Sequence, residues 1–110
     1  MSQQLLFTLS EPVTIVLSGA HGPKREKRIV DISLRGLEPG DILLLDRFRH
    51  QPATLGLQLV ATLSGLTVPQ VKRLAMTDFA KVADAALARL ATAARRMGIP
   101  TEWFREQPAA

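Results

Sequence analysis

The sequence predicts an α+β fold in which an N-terminal β-hairpin of two or three strands packs on a bundle of three to four α-helices. Two observations lead to this fold class. Alternating and β-branched apolar segments are confined to the first third of the chain, whereas the rest repeats apolar residues at intervals of three and four. The chain has 110 residues, the size of one domain with a single core. We therefore expect the strands to come first and to share a core with the helices.

The strands are expected before residue 36. Residues 5–9 could form an edge strand, and residues 13–17 are β-branched and apolar enough for a buried one. Residues 18–23 contain two glycines and a proline, which predict a turn. Residues 30–35 alternate, with Val30, Ile32 and Leu34 on one face and Asp31, Ser33 and Arg35 on the other. These segments predict a hairpin whose tip carries the basic residues that follow the turn.

Two helices are expected in the middle of the chain. Asp41 is a suitable N-cap for a helix that continues through Phe48 and ends before Pro52, because a residue that precedes proline avoids the α region. A second helix is predicted from Ala53, since leucines follow at intervals of four. Gly65 is expected to end it.

A short helix and a long helix complete the predicted bundle. Thr67 and Gln70 resemble a capping box at the start of the short helix. The long helix should begin at Thr77 or Asp78 and continue for about five turns. Gly98 is well placed for the left-handed position that follows its last turn.

This organisation predicts one α+β domain over residues 1–97 and a C-terminal extension over residues 98–110 with room for a short helix. The chain contains no cysteine, which excludes disulfides, thiolate catalysis and sulfur-ligated zinc. Its longest apolar runs are far shorter than the ~20 residues that span a bilayer, and no positively charged leader opens the sequence. We therefore expect a cytoplasmic protein that has no membrane partner.

The usual residue patterns of enzyme active sites do not occur in the sequence. His21 and His50 each stand beside a proline-containing turn and are expected to be solvated loop residues. Asp41 and Asp46 would face different ways on one helix, so capping and solvation explain them better than catalysis does. We predict a protein that is not an enzyme, with no catalytic, cofactor-binding or metal-binding residues and no cofactor.

One short basic segment holds much of the net charge of +4. It contains Lys24, Arg25, Lys27 and Arg28, with Glu26 opposing them. A charged hairpin tip can hold phosphates, which makes a small basic nucleic-acid-binding module the alternative function. The same charges suit a soluble turn that keeps strand edges from aggregating. We favour the second interpretation and do not expect nucleic acid as a partner.

The candidates for protein contact lie toward the C-terminus. Trp103 and Phe104 stand in an otherwise polar segment, and aromatic side chains are common at binding hot spots. We favour docking of these two residues on their own domain, and an apolar stripe such as that of the last helix is more typical of core than of a binding groove. If a partner surface exists, we expect it to be formed by Leu87, Leu90, Met97, Trp103 and Phe104.

Several short strings resemble, in order and spacing, the Mu-like phage tail assembly chaperones, which are encoded next to the tape measure protein. The first strings are Leu9-Ser10-Glu11-Pro12-Val13 and Ile32-Ser33-Leu34-Arg35. The later ones are Gly40-Asp41-Ile42, Leu63-Ser64-Gly65-Leu66, Pro69, Leu74 and Asp78-Phe79. The resemblance covers residues 7–90. This chain departs from the family in a longer, more basic hairpin loop and in the later position of the proline that often follows the arginine.

The resemblance implies a non-catalytic protein of the bacterial cytoplasm that is absent from the mature virion. Its role would be to bind the tape measure protein and keep it soluble while the tail-tube protein, a second candidate partner, polymerises around it. A tape measure protein is long, helical and apolar, so its exposed stripes would aggregate before the tube encloses it. Helix-in-groove packing could cover those stripes. The sequence leaves open whether the chain forms a homo-oligomer.

Overall fold

The chain folds as an antiparallel β-hairpin followed by helices, which confirms the predicted α+β class. The computed structural model describes residues 4–17 and 25–99, so the predicted turn over residues 18–23 lies outside the described part. The two strands are β1 (Leu5–Leu17) and β2 (Arg25–Leu34). The helical elements are a 3₁₀ helix (Pro39–Ile42) that continues into α1 (Leu43–Arg47), then α2 (Pro52–Ser64), α3 (Val68–Val71) and α4 (Met76–Arg96).

β1 is one long strand with a bulge, and not the two separate strands expected from the sequence. Thr8 lies opposite Asp31 and Val13 lies opposite Ile29, so four residues of β1 correspond to one residue of β2. Pro12 falls inside this bulge, where its missing N–H breaks no ladder hydrogen bond. The bulge leaves N–H groups of β1 without a partner on β2, and they bind elsewhere in the fold.

The predicted alternation of β2 holds for most of its second half. Ile32 and Leu34 are buried, whereas Asp31 and Ser33 are exposed. Val30 was expected to join the buried face but is 47% exposed, and it lies opposite the bulge of β1. The fully buried side chains of β2 are therefore Ile32 and Leu34, and Ile29 is partly buried against the core.

The first helix begins differently from the prediction. Asp41 is not its N-cap, because this residue is buried inside the 3₁₀ helix and its carboxylate binds Arg35. The α-helical segment ends at Arg47, one residue before Phe48. Pro52 is the first residue of α2, since the missing N–H of a proline is not needed at a helix N-terminus.

The ends of α2 and α3 follow the predicted capping. Gly65 ends α2 in the left-handed conformation with φ of 80°. The Gln70 N–H donates to Thr67 Oγ1 at 3.3 Å, and the Thr67 N–H donates to Gln70 Oε1 at 3.0 Å. The capping box is thereby confirmed.

Helix α4 begins at Met76, one or two residues before the predicted start, and its C-terminal cap confirms the role of Gly98. Gly98 has φ of 78°, and its N–H donates to the Arg95 carbonyl. The Ile99 N–H donates to the Ala94 carbonyl at 2.9 Å, which completes a Schellman motif. Ile99, in the predicted C-terminal extension, packs against the core.

A single core joins the hairpin to the helices. Its largest fully buried side chains come from β2, α2, α3 and α4, and they are Leu34, Leu55, Leu59, Leu90, Val60, Val71 and Val82. β1 adds Leu9, Val13 and Ile15. The core therefore includes side chains of both strands, and the outer edge of β2 lies beside the end of α2.

Candidate functional site

Asp78 ties the start of α4 to the bulge of β1. Its side chain is buried, at 3% exposure. Oδ1 accepts hydrogen bonds from the Ser10 N–H at 3.0 Å and from Ser10 Oγ at 2.9 Å, and Oδ2 accepts one from the Glu11 N–H at 3.1 Å. The carboxylate thus takes up the N–H groups that the bulge leaves without a ladder partner. Its role is to fix the hairpin against the long helix.

Arg35 and Asp41 form a bidentate ion pair where β2 leads into the first helix. Arg35 Nη1 donates to Asp41 Oδ2 at 2.9 Å, and Nη2 donates to Oδ1 at 3.1 Å. The Glu38 N–H donates to Asp41 Oδ2 at 2.8 Å. The Arg35 N–H donates to the Leu63 carbonyl at 3.0 Å, which joins the end of β2 to the end of α2. Arg35 therefore joins the end of β2 to the first helix and to α2, in addition to ending the polar side of the strand.

Both buried carboxylates keep their negative charge to lower pH than ordinary aspartates. The hydrogen bond from the Ser10 N–H is the main cause that lowers the pKa of Asp78, and the Glu11 N–H adds to it against desolvation. Burial by itself would raise the pKa of Asp41. Hydrogen bonds from Arg35 and the Glu38 N–H outweigh that effect and lower the pKa of Asp41.

We expect acid to destabilise the fold through these two groups. An aspartate whose pKa is lower in the folded chain stabilises the fold above its unfolded pKa of about 3.9, and this stabilisation is lost as the pH falls through the folded pKa. The Tm deficit of Asp78→Asn relative to the unsubstituted chain should therefore be largest near neutral pH and should shrink below about pH 4. Thermal melts followed by circular dichroism at a series of pH values measure it.

Asp84→Asn is the matched control, because Asp84 is exposed on the same helix. Its Tm deficit should be smaller than that of Asp78→Asn at neutral pH. A deficit of Asp78→Asn that stays the same from neutral pH to about pH 3 would contradict the expected role of the carboxylate charge.

An open groove runs beside β2 on the side of the α2 C-terminus. This β2 groove has a volume of about 380 Å³ and is lined by residues 27–33, Ser64 and Leu66. A second cavity of about 310 Å³ shares Ser33 and Ser64 with it. In the described part of the chain, no backbone hydrogen bond joins residues 25–34 to any element except β1. Backbone N–H and C=O groups on the outer edge of β2 are therefore unpaired there.

Three of the four basic residues lie on β2, in the half that begins at Arg25. Arg25, Lys27 and Arg28 are exposed strand residues that pair with β1, and Lys24 lies outside the described residues. Because side chains alternate along a strand, Arg25 and Lys27 share one face, whereas Arg28 lies on the other beside Glu26. The described part of the basic segment is therefore divided between two faces.

The predicted partner-contact residues do not share one exposed surface in the described part of the chain. Leu90 is fully buried in the core, so its assignment to a partner surface is wrong for this folded state. Leu87 is half-buried at the border of the core, and Met97 is 60% exposed just after α4. Trp103 and Phe104 lie outside the described residues.

The remaining candidates for chemistry do not converge in the described residues. His50 is exposed in the turn after α1, as predicted, and His21 lies outside the described part. Asp46 is exposed, whereas Asp41 is buried and bound to Arg35. Within residues 4–17 and 25–99, no group of three or more histidine and acidic side chains could hold a metal ion. The same residues contain no helix that is long and apolar enough to cross a membrane.

Sequence reasoning missed the roles of Asp78 and of the β2 edge. Pro12 between two apolar segments was an available signal for a bulge, since proline within a sheet is confined to edges and bulges. A hairpin of two strands also has two free edges wherever no other element covers them. Neither signal identifies the group that meets the bulge or the edge.

The geometry defines a small α+β domain in which a bulged hairpin is fixed to a set of helices by two buried aspartates. Comparison with known proteins gives no relative for it: no protein family, no curated protein and no solved structure matches the chain.

Proposed function

We propose that the chain is a phage or prophage tail assembly chaperone that binds the tape measure protein and keeps it soluble, without catalysing a reaction. One observation supports the proposal most: the strings that resemble the chaperone family are bonded to one another. Ser10 of the first string binds Asp78 of the last. Arg35 binds Asp41 through its side chain and Leu63 through its N–H. Strings that are joined in this way form the framework of one fold. A shared fold is also what the order and spacing of the strings, similar to those of the family, imply.

The described surface carries separate apolar side chains that a helical client could contact. Exposed large apolar residues lie on both strands, on α1 and at the two ends of α4: Leu6, Val16, Val30, Leu43, Met76 and Met97. Several weak contacts give retention without a single tight site, because each additional contact forms at high effective concentration. A client held in this way can be released to the growing tube.

Co-expression with a phage tape measure protein tests the proposal. We expect the soluble fraction of the tape measure protein to rise severalfold when the chain is present. A Met97→Ala/Trp103→Ala/Phe104→Ala variant should lose most of that gain. Leu43→Ala is the control for the loss of a single exposed apolar contact. It should lose much less of the gain, because Leu43 is as exposed as Met97 but the other weak contacts remain. Truncation after Leu90 is unsuitable, since it would cut α4 and remove the buried residues Ala91 and Ala94.

The same soluble yield with and without the chain would count against the proposed function. Retention of duplex DNA at low salt, lost on charge reversal of Lys27 and Arg28 and weakened steeply by added salt, would support the nucleic-acid-binding alternative.

A further inference from the structure

We propose that two copies of this chain pair through the outer edges of β2, antiparallel about Ile29, to form one continuous four-stranded sheet. This pairing would hold whether or not the chain binds a tape measure protein. One edge of β2 is unpaired. β1 pairs with the other edge, and in the described part of the chain no backbone group binds the outer edge of residues 25–34. An exposed row of N–H and C=O groups is a template for another strand.

The middle of this edge is open and apolar. Ile29 and Val30 both line the β2 groove. Val30 is 47% exposed, whereas Ile29 is partly buried against the core. β2 contains no proline, and the extra residues of the bulge belong to β1. Proteins block exposed edges with proline, bulges or charges. Of these three devices the described edge of β2 has only charged side chains, and their order decides which strand can pair with it.

The charges of β2 are complementary to those of a second β2 in one register. Two identical antiparallel strands are related by a twofold axis normal to the sheet, so one residue faces its own copy. With Ile29 on the axis, Lys27 of each copy faces Asp31 of the other, and Arg28 faces Val30. Lys27, Ile29 and Asp31 share one face, because side chains alternate along the strand. Each opposite-charge pair across the strands is stabilising.

Neighbouring registers are less complementary. The opposite-charge pairs that two of them form, Arg25 with Asp31 about Arg28 and Glu26 with Arg28 about Lys27, come with a like-charge pair on the axis. An axis at Arg28 would place two guanidinium groups opposite each other, an axis at Lys27 two ammonium groups, and an axis at Asp31 two carboxylates. An axis at Val30 would place Lys27 opposite a neutral residue. Like charges directly opposite are destabilising, so the charge pattern selects the register about Ile29.

Analytical ultracentrifugation of charge-exchanged variants of the full chain tests this register. The unsubstituted chain should dimerise, and Lys27→Glu and Asp31→Lys should each raise the Kd of the dimer at least about tenfold. In a dimer of either variant, residues 27 and 31 would carry like charges at both places where they face each other. An equimolar mixture of the two should recover a dimer, because the heterodimer restores two opposite-charge pairs. Lys72→Glu and Asp46→Lys make the same charge changes at exposed positions, just after α3 and on α1, and should leave the Kd unchanged.

A cysteine crosslink supplies a second measurement that does not depend on charge. The chain has no cysteine, so Ile29→Cys introduces a single thiol. Residues directly opposite each other on antiparallel strands have Cα atoms about 4.5–5.5 Å apart, within the range of a disulfide. Mild oxidation should therefore give a covalent dimer of Ile29→Cys. Val16→Cys, at an exposed position of β1, should crosslink much less.

A chain that stays monomeric up to several hundred micromolar would overturn the pairing. So would a mixture of Lys27→Glu and Asp31→Lys that dimerises no better than either variant alone. Equal crosslinking of Ile29→Cys and Val16→Cys would exclude this register. Circular dichroism spectra that match the unsubstituted chain show that each variant is folded, so loss of the dimer can be read as loss of the contact.

Discussion

Replacing Leu90 with alanine is expected to lower the free energy of unfolding by about 3 kcal/mol. Leu90 is fully buried on α4, and its neighbours one turn away on the same helix, Ala86 and Ala94, are fully buried as well. Alanine side chains are too short to move into the space that the leucine leaves, so the cavity should persist and keep the cost in the usual range for Leu→Ala substitutions. Urea denaturation followed by circular dichroism measures the change as a lower midpoint with an unchanged slope.

Leu87→Ala and Met97→Ala are the controls, because both residues were expected to share a surface with Leu90. Leu87 is half-buried, so Leu87→Ala should lower the free energy of unfolding by about 1 kcal/mol, in proportion to the apolar area that the side chain buries. Met97 is 60% exposed and should change the stability by less than about 0.5 kcal/mol. A cost for Leu90→Ala as small as that for Met97→Ala would show that Leu90 lies on the surface in solution.

The sequence predicted best those features that depend on residues close together in the chain. The Thr67–Gln70 capping box and the left-handed glycines at positions 65 and 98 were all found where the sequence placed them. Each of these features depends on a backbone conformation and a hydrogen bond within about one helical turn. The fold class was predicted for a similar reason, since the alternating and the helical spacings are local patterns.

The roles of the buried aspartates could not be predicted, because they depend on contacts between distant segments. Asp41 and Asp78 both stand where a helix begins, and capping is the ordinary function of aspartate there. In the fold, Asp78 binds a bulge on β1. Asp41 binds the arginine at the end of β2. Their partners are known only once the hairpin lies against the helices.

The settings of the predicted partner-contact residues and of the basic residues also depend on how distant segments pack. An apolar stripe on α4 predicted both core and partner-contact residues, and only the packing of the helix on α2 shows that Leu90 belongs to the core. The basic residues were recognised from the sequence, but the strand register decides that Lys27 stands beside a free edge and shares a face with Asp31. Charge patterns acquire a meaning for binding only when the register of the strand is known.

Replacing Asp41 with alanine is expected to lower the free energy of unfolding by about 2 kcal/mol. The substitution removes both hydrogen bonds from Arg35 and the one from the Glu38 N–H. Breaking a fully buried ion pair costs about 3–5 kcal/mol, because the remaining charge is left without a partner. The Arg35 side chain is 33% exposed, so its guanidinium can turn to water and the cost should fall below that range.

Glu38→Ala separates the buried carboxylate from the exposed one. The Glu38 carboxylate lies 3.7 Å from Arg35 Nη1 with a side chain that is 69% exposed, so its loss should cost less than about 0.5 kcal/mol. Urea titrations of both variants at neutral pH and below about pH 4 give the comparison, and the deficit of Asp41→Ala should shrink in acid, since the pKa of Asp41 is lowered by folding. Equal costs for the two substitutions would mean that the ion pair does not hold the end of β2 against the first helix. A large loss of stability for Asp41→Ala alone would show that the bidentate pair of Arg35 and Asp41 stabilises the junction of β2 with the first helix.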